Sequence, residues 1–384
     1  MKRLTLVFMI DALGFDQAGG EFLPALGTAR SPVETVLGYS SACIPSIMTG
    51  QAPAEHGHLS MYRRAQNGRT VFGGPVKAIG RLSQLTQRGH WRMRQLLMQY
   101  LRRTGITGYF SLYDIPLSLL PEFDLCQRKN IYRPDAFRDE GLTGLGDVLS
   151  DPSMSRVWDW TVSEERAWQE LHEELRAGNK RVLFFYTPEL DSLMHVVGPR
   201  DRRTADQLAA YSTRIDAALK LAEQTYEEVE LYVFGDHGMA PVEGTHDLWS
   251  KLDALPFVVP RDYLYFLDST MARFWFERPE AEAAVRALLR DEGYGRVLGD
   301  EELSALGARF PEDDYGQLIF LLDEGHILVP SFMGKEPVRG MHGYHPSARA
   351  SYTTLVTNQS GVEYPKNLFE LHSVLRESIG RTVG

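Results

Sequence analysis

Along the chain, short apolar runs alternate with stretches whose apolar residues recur at helical spacing. Residues 4–10, 182–186, 231–234 and 352–356 are mostly apolar and lie near turn signals, the pattern of strands buried on both faces of a parallel sheet. Between the second and third runs, Leu208, Tyr211, Ile215, Ala218 and Ala222 share one face of a helix predicted over about 204–222. Strand, helix, strand in that order implies a right-handed crossover. The fold class expected is therefore α/β: a doubly wound, mostly parallel sheet flanked by helices. In such sheets ligands bind where the strands end at their carboxyl edge, so those ends are the places to look for chemistry.

Two regions depart from this rhythm, and both read as insertions into a single α/β domain spanning 1–384. The first, 60–178, opens with a segment free of acidic residues and closes with a helix predicted over 164–177; it is expected to cap the sheet. The second, 255–335, carries strand patterns at 263–267 and 318–322 and a helix pattern near 279–290, the makings of a small α+β subdomain.

The first strand runs straight into Asp11. The second gives way to YTPELDSLMHVVGP, where Asp191 and His195 stand at i, i+4 and share one helical face. The third ends in GDHGM, with Asp236 and His237 adjacent; side chains next to each other on a strand diverge, so they can meet only if the backbone turns, and the flanking glycines allow that. Before the last run, GMHGYHP surrounds His342 with glycines. Singly, Asp11 could cap a helix, Asp191 and His195 could be a solvated face, and His342 could be a loop histidine. Together they offer six oxygen or imidazole ligands and no thiolate, a set suited to two divalent cations. A serine-rich turn before a predicted helix, GYSSACIPSIMTG, supplies Ser40 and Ser41 as candidate nucleophiles, because a cation and a helix amino terminus both favour an ionised hydroxyl.

Composition narrows the partners. Lys and Arg total 41 against 51 Asp and Glu, a net charge of −10 that argues against general nucleic-acid binding. The balance is uneven: residues 56–113 contain no acid but include Arg63, Arg64, Arg69, Lys77, Arg81, Arg88, Arg92, Arg94, Arg102 and Arg103. Within that segment WRMRQLLMQYLRR predicts a helix with Met93, Leu96, Leu97, Tyr100 and Leu101 on one face, either a cap helix or a membrane-surface site for a lipid or phosphorylated headgroup. Cys43 and Cys126 are too few for a disulfide framework. With no apolar run approaching the roughly 20 residues of a membrane span, a cytoplasmic protein is expected. His246 and His345 are spare imidazoles close to the candidate ligands in sequence.

In their order, these motifs resemble the alkaline phosphatase superfamily, and most closely its type I phosphodiesterase/nucleotide pyrophosphatase branch: Asp11 after the first strand, Ser40 to Thr49-Gly50 and His56-Gly57, PELDSLMHVVGP, GDHGM and GMHGYHP. The nucleophile of that family stands nine positions before the threonine of its Thr-Gly turn, which selects Ser40. The resemblance implies that Asp11, Ser40, Asp236 and His237 hold one metal and Asp191, His195 and His342 the other. Zinc is the usual pair; manganese serves a related mutase branch. A small anionic phosphoester is the implied substrate, cleaved through a phosphoserine intermediate. Three departures bear on the activity: serine stands where the branch often has threonine, Met61 occupies the position of an asparagine that donates to a phosphoryl oxygen, and CIPS only superficially matches the sulfatase motif, because Ile47 replaces its arginine. A phosphomonoesterase or phosphate-transferring mutase would share the same ligands, and a non-catalytic metal-binding protein is the remaining alternative.

Overall fold

The first apolar run forms strand β1 (Arg3–Ile10). In the computed structural model, which describes residues 2–26, 30–74 and 90–383, β1 lies inside a six-stranded sheet with β2 (Pro32–Val33), β3 (Ser155–Trp158), β4 (Val182–Thr187), β5 (Glu228–Phe234) and β6 (Thr353–Thr357). The order is β2-β6-β5-β1-β4-β3. From β5 to β3 the strands run parallel. The last strand departs from expectation: β6 pairs antiparallel with β5, Leu355 opposite Phe234. The reason lies in the connection. After β5 the chain passes Ala240–Pro241 and comes back through Gly340–Met341, which pairs antiparallel with it, so β6 enters the sheet from the end at which β5 leaves.

Helices α1 (Ser40–Thr49), α2 (Glu164–Ala177), α3 (Glu189–Val197), α4 (Arg202–Thr225) and α5 (Leu368–Val383) surround this sheet. Because side chains alternate along a strand, Leu4, Leu6, Phe8 and Ile10 pack with Trp168 and Leu171 of α2 and Tyr211 and Ile215 of α4. Val7 and Met9 pack instead with Ile44 and Ile47 of α1 and Leu371 and Leu375 of α5. Thr5, a polar residue of β1, is bonded to Ser378 and Thr382 of α5 at 3.2 and 2.8 Å. Each Leu or Phe buried in these layers contributes about 1.5–3 kcal/mol, which fixes the strand ends firmly enough to present charged groups at one edge.

Contacts divide the chain into two compact units, the first made of Met1–His56, Ile131–Pro241 and Val338–Gly384, the second of Gly57–Asn130 and Val242–Pro337. The insertion expected over 60–178 is accordingly shorter. Residues 131–178 belong to the first unit, where β3 is the edge strand of the sheet and α2 covers its face. With only four residues, of which Arg156 is exposed, β3 leaves no apolar run to read.

The second unit holds a four-stranded antiparallel sheet built from Tyr263–Leu267, Met271–Phe276, Gly295–Val297 and Leu318–Leu322, with the helix Pro279–Arg290. At its centre Arg273 is fully buried, donating to Asp268 Oδ2 at 2.7 Å and to Tyr62 O at 2.8 Å, while Ser60 donates to Asp268 Oδ1 at 2.8 Å. Met61 is buried in this unit, and its sulfur accepts a hydrogen bond from Ser111 N at 3.1 Å. The basic segment forms the helix His90–Arg103. Its buried face is narrower than expected: Leu97 and Leu101 are covered, but Leu96 and Tyr100 are 62% and 45% exposed. Arg94 is engaged with Leu112 O and Ile115 O, and Arg102 stands over the Phe110 ring. Lys77, Arg81 and Arg88, and the side chains of Trp91, Arg92 and Met93, lie outside the described residues. Cys43 and Cys126 are both buried and unpaired. Among the described residues no helix is long and apolar enough to cross a membrane.

Candidate active site

Where β1, β4 and β5 end, their apolar pattern gives way to acids and imidazoles. Asp11 follows β1, and its amide is held by Thr187 O of β4 at 2.9 Å. After β4 the chain turns at Pro188 into α3, which carries Asp191 and His195 one turn apart, with Nε2 3.3 Å from Oδ2. After β5 come Asp236 and His237. Neither Gly235 nor Gly238 has a positive φ, so conformational freedom is not why glycine is needed. A β-carbon on Gly235 would lie 2.5 Å from Leu13 O, and one on Gly238 2.3 Å from Ala350 O. Close approach of neighbouring backbones is the constraint. His342 follows the short strand Gly340–Met341 and stacks on the His237 ring, centroids 3.8 Å apart. Ser40, the first residue of α1, places Oγ 3.0 Å from His237 Nε2 and 3.5 Å from Asp11 Oδ1. Ser41 Oγ is buried and makes no hydrogen bond to a described residue, so the geometry separates the two serines.

Asp11, Ser40, Asp191, His195, Asp236, His237 and His342 thus come together within the first unit. Two imidazoles are oriented from behind. His195 Nδ1 faces Gly340 O at 2.8 Å and His237 Nδ1 faces Gly238 O at 2.9 Å. A carbonyl can only accept, so each Nδ1 carries a proton and each Nε2 points at the carboxylates. His237 Nε2 is 3.4 Å from Asp11 Oδ1 and 3.3 Å from Asp236 Oδ2, and His342 Nε2 is 3.5 Å from Asp191 Oδ1. Ligand atoms of a tetrahedral zinc with bonds of about 2.0–2.1 Å are about 3.3–3.4 Å apart. The donor set therefore has the chemistry and the spacing of a divalent-cation site.

The electrostatics agree. Burial, reinforced by the charges of Asp236 and Asp191, holds the Asp11 carboxyl well above the usual carboxylate range. Burial raises Asp236 to about 7 despite the hydrogen bond from Ala12 N. Burial also opposes charge on Asp191, but His195 and His342 outweigh it and bring its carboxyl below the usual range. His195 is the converse: burial disfavours its charge, yet Asp191 raises it to about 9. Asp191 Oδ1 and Asp236 Oδ2 are buried and accept no hydrogen bond from a described residue. Too much negative charge with too few donors calls for a cation. Ligand atoms of Asp191, His195 and His342 lie within 4.8 Å of one another, as do those of Asp11, Asp191 and His237, so Asp191 reaches both halves of the cluster.

Two supporting residues escape sequence reasoning. Tyr186 donates to Asp11 Oδ2 at 2.7 Å, and Thr35 donates to the Asp236 carbonyl at 2.8 Å. Tyr186 had one visible signal, a polar-tipped ring at the end of an otherwise apolar run. Thr35 had none. Of the spare imidazoles, His246 lies in the second unit, bonded to His326 and stacked on Tyr294, and His345 Nδ1 accepts from Ser347 N.

A family model described as type I phosphodiesterase / nucleotide pyrophosphatase matches residues 34–345, a span that includes Ser40, Asp191, His195, Asp236, His237 and His342. Among solved structures, murine ectonucleotide pyrophosphatase/phosphodiesterase 5 is similar with a TM-score of 0.65 and 15% identity, over 98% of this chain and 95% of that one. An inactive variant of the murine protein in complex with AMP gives 0.62 and 16% over the same shares. The human protein of that name gives 0.64 and 13%, again over 98% and 95%. Likeness at these identities is likeness of fold. No curated protein matches the sequence.

Proposed function

Because the chain belongs to the type I phosphodiesterase/nucleotide pyrophosphatase family, and is by that membership a phosphoric ester hydrolase, we propose that it cleaves a phosphodiester or pyrophosphate bond through a phosphoseryl intermediate on Ser40. The observation that carries this is Ser40 Oγ at the start of a ten-residue helix, 3.0 Å from His237 Nε2 and 3.5 Å from Asp11 Oδ1. Asp11, Ser40, Asp236 and His237 would hold one divalent ion and Asp191, His195 and His342 a second, with zinc or manganese as the candidates. Bound there, the pair would supply positive charge opposite the serine oxygen, the phosphoryl oxygens and the leaving oxygen. Ser40 Oγ attacks phosphorus in line. Its new bond to phosphorus forms, the hydroxyl proton passing to solvent, as the bond to the leaving alcohol or phosphate breaks, and the leaving oxygen takes up a proton from solvent as needed. Water then attacks the phosphoserine, returning the hydroxyl to Ser40 and releasing the phosphorylated product. The amino terminus of α1 favours negative charge beside Ser40 throughout, while Gly340 O and Gly238 O keep the two imidazoles in register.

The murine relative's inactive variant was obtained with AMP, which makes a nucleotide ester the first substrate to test. Ser40→Ala should abolish turnover of bis-p-nitrophenyl phosphate and of nucleotide esters, lose the phosphorylated Ser40 peptide in quenched digests, and retain divalent metal. Undiminished turnover by that variant would remove Ser40 from the role. A second reading, monoester hydrolysis or phosphate transfer, is favoured by Met61, whose sulfur accepts from Ser111 N where the family commonly has an amide donor. Faster cleavage of p-nitrophenyl phosphate than of the bis ester would select it.

A further inference from the structure

β4 pins Asp11 twice. Its backbone accepts the Asp11 amide through Thr187 O at 2.9 Å, and its Tyr186 hydroxyl donates to Asp11 Oδ2 at 2.7 Å. The register explains how: Met9 of β1 lies opposite Tyr186 and Ile10 opposite Thr187, so Tyr186 rises on the face of the sheet from which Asp11 emerges. The Tyr186 ring is itself held, buried, with its centroid 5.2 Å from that of Tyr132. One carboxylate oxygen of Asp11 is thereby committed to the phenol. The other, Oδ1, faces Ser40 Oγ at 3.5 Å and His237 Nε2 at 3.4 Å.

We propose that Tyr186 is a positioning residue whose hydroxyl, by occupying Asp11 Oδ2, keeps Asp11 a one-oxygen ligand for the cation shared with Ser40, Asp236 and His237. This rests on the two-cation reading above. A carboxylate with both oxygens free can rotate, or grip a cation with both and crowd out the fourth ligand; one whose second oxygen is hydrogen-bonded cannot. In a cluster where Ser40 must remain both ligand and nucleophile, that constraint leaves it a coordination position. A phenol also donates to a carboxylate away from the site: Tyr232 donates to Glu230 at 3.0 Å in the same sheet, but Glu230 is bonded to Ser378 and Arg381 and is not among the candidate ligands. Tyr232 therefore serves as a matched control.

The test is the metal stoichiometry of full-length protein dialysed against graded chelator, with zinc as the probe. Wild type should hold two ions per chain. Tyr186→Phe, which keeps the ring and removes only the hydroxyl, should lower the affinity for one of the two by about 10- to 100-fold, the usual effect of deleting a partner behind a ligand, and leave the other in place. Loaded with cobalt(II), Tyr186→Phe should also show altered visible absorption as Asp11 becomes free to use both oxygens. Tyr232→Phe should match wild type in both measurements, and in an Asp11→Asn background Tyr186→Phe should have no further effect. Retention of both ions by Tyr186→Phe with wild-type affinity and cobalt spectrum overturns the inference while leaving the two-cation reading intact, as does equal metal loss in Tyr232→Phe. A wild-type chain that binds fewer than two ions overturns both.

Discussion

Each unit buries charge, and the two do so in opposite ways. In the second unit Arg273 and Asp268 are both almost wholly covered, yet every demand is met inside the protein: the guanidinium binds Asp268 and Tyr62 O, Ser60 occupies the other carboxylate oxygen, and the Phe266 ring lies 4.5 Å away. Burial pushes Asp268 up, and Arg273 works against it. In the first unit Asp11, Asp191 and Asp236 crowd together, Asp191 Oδ1 and Asp236 Oδ2 accept no hydrogen bond from a described residue, and burial holds Asp11 and Asp236 high. Buried charge is therefore not in itself a mark of function. The mark is a deficit that no neighbouring side chain fills.

Experiments can break that contrast. The largest effect expected is from Asp236→Asn, which keeps the Oδ1 that accepts from Ala12 N but removes a charge: kcat/KM should fall by about 10³-fold or more, on the order of 4 kcal/mol of transition-state stabilisation, while chelated protein melts in urea at the wild-type midpoint or above it. A chelated variant clearly less stable than chelated wild type would mean that the cluster is balanced after all. Arg273→Met should do the reverse. Leaving Asp268 buried without its partner should cost about 3–5 kcal/mol of unfolding free energy, with metal content unchanged; a loss below about 1 kcal/mol would show that the pair is dispensable. The smallest effect concerns Glu170 on α2, near the surface and fully supplied with donors. Trp158 Nε1 and Arg166, joined by Arg156, lower its carboxyl to about 2 from 4.5. A depressed carboxylate contributes stability above its unfolded value, and that contribution is lost as pH falls through about 4.5 toward 2. Glu170→Gln should flatten this part of the acid-unfolding curve by a few tenths of a kcal/mol, measured by circular dichroism.

The sequence shows the site more fully than it shows the sheet. Apolar runs ending in Asp11, in Asp191 and His195, and in Asp236 and His237 are legible because burial sets the run and chemistry sets its end. Strand direction is not, since β6 carries the same pattern of burial whether it pairs parallel or antiparallel with β5. Nor is the role of Gly235 and Gly238, because the backbones that crowd them, at Leu13 and Ala350, are remote in the chain. Tyr186 and Thr35 reach the site through hydrogen bonds to partners 175 and 201 positions away, and no local spacing records such a pair.

The candidate ligands are strung from position 11 to position 342, and the last of them arrives only after the excursion between Pro241 and Gly340 has been closed by their pairing. A growing polypeptide on the ribosome cannot offer the complete set until that return is made. Only His342 waits for that return: Asp11, Ser40, Asp236 and His237 all precede Pro241, so the two halves of the proposed site would be completed in order, the half around Asp11 before the half around His342.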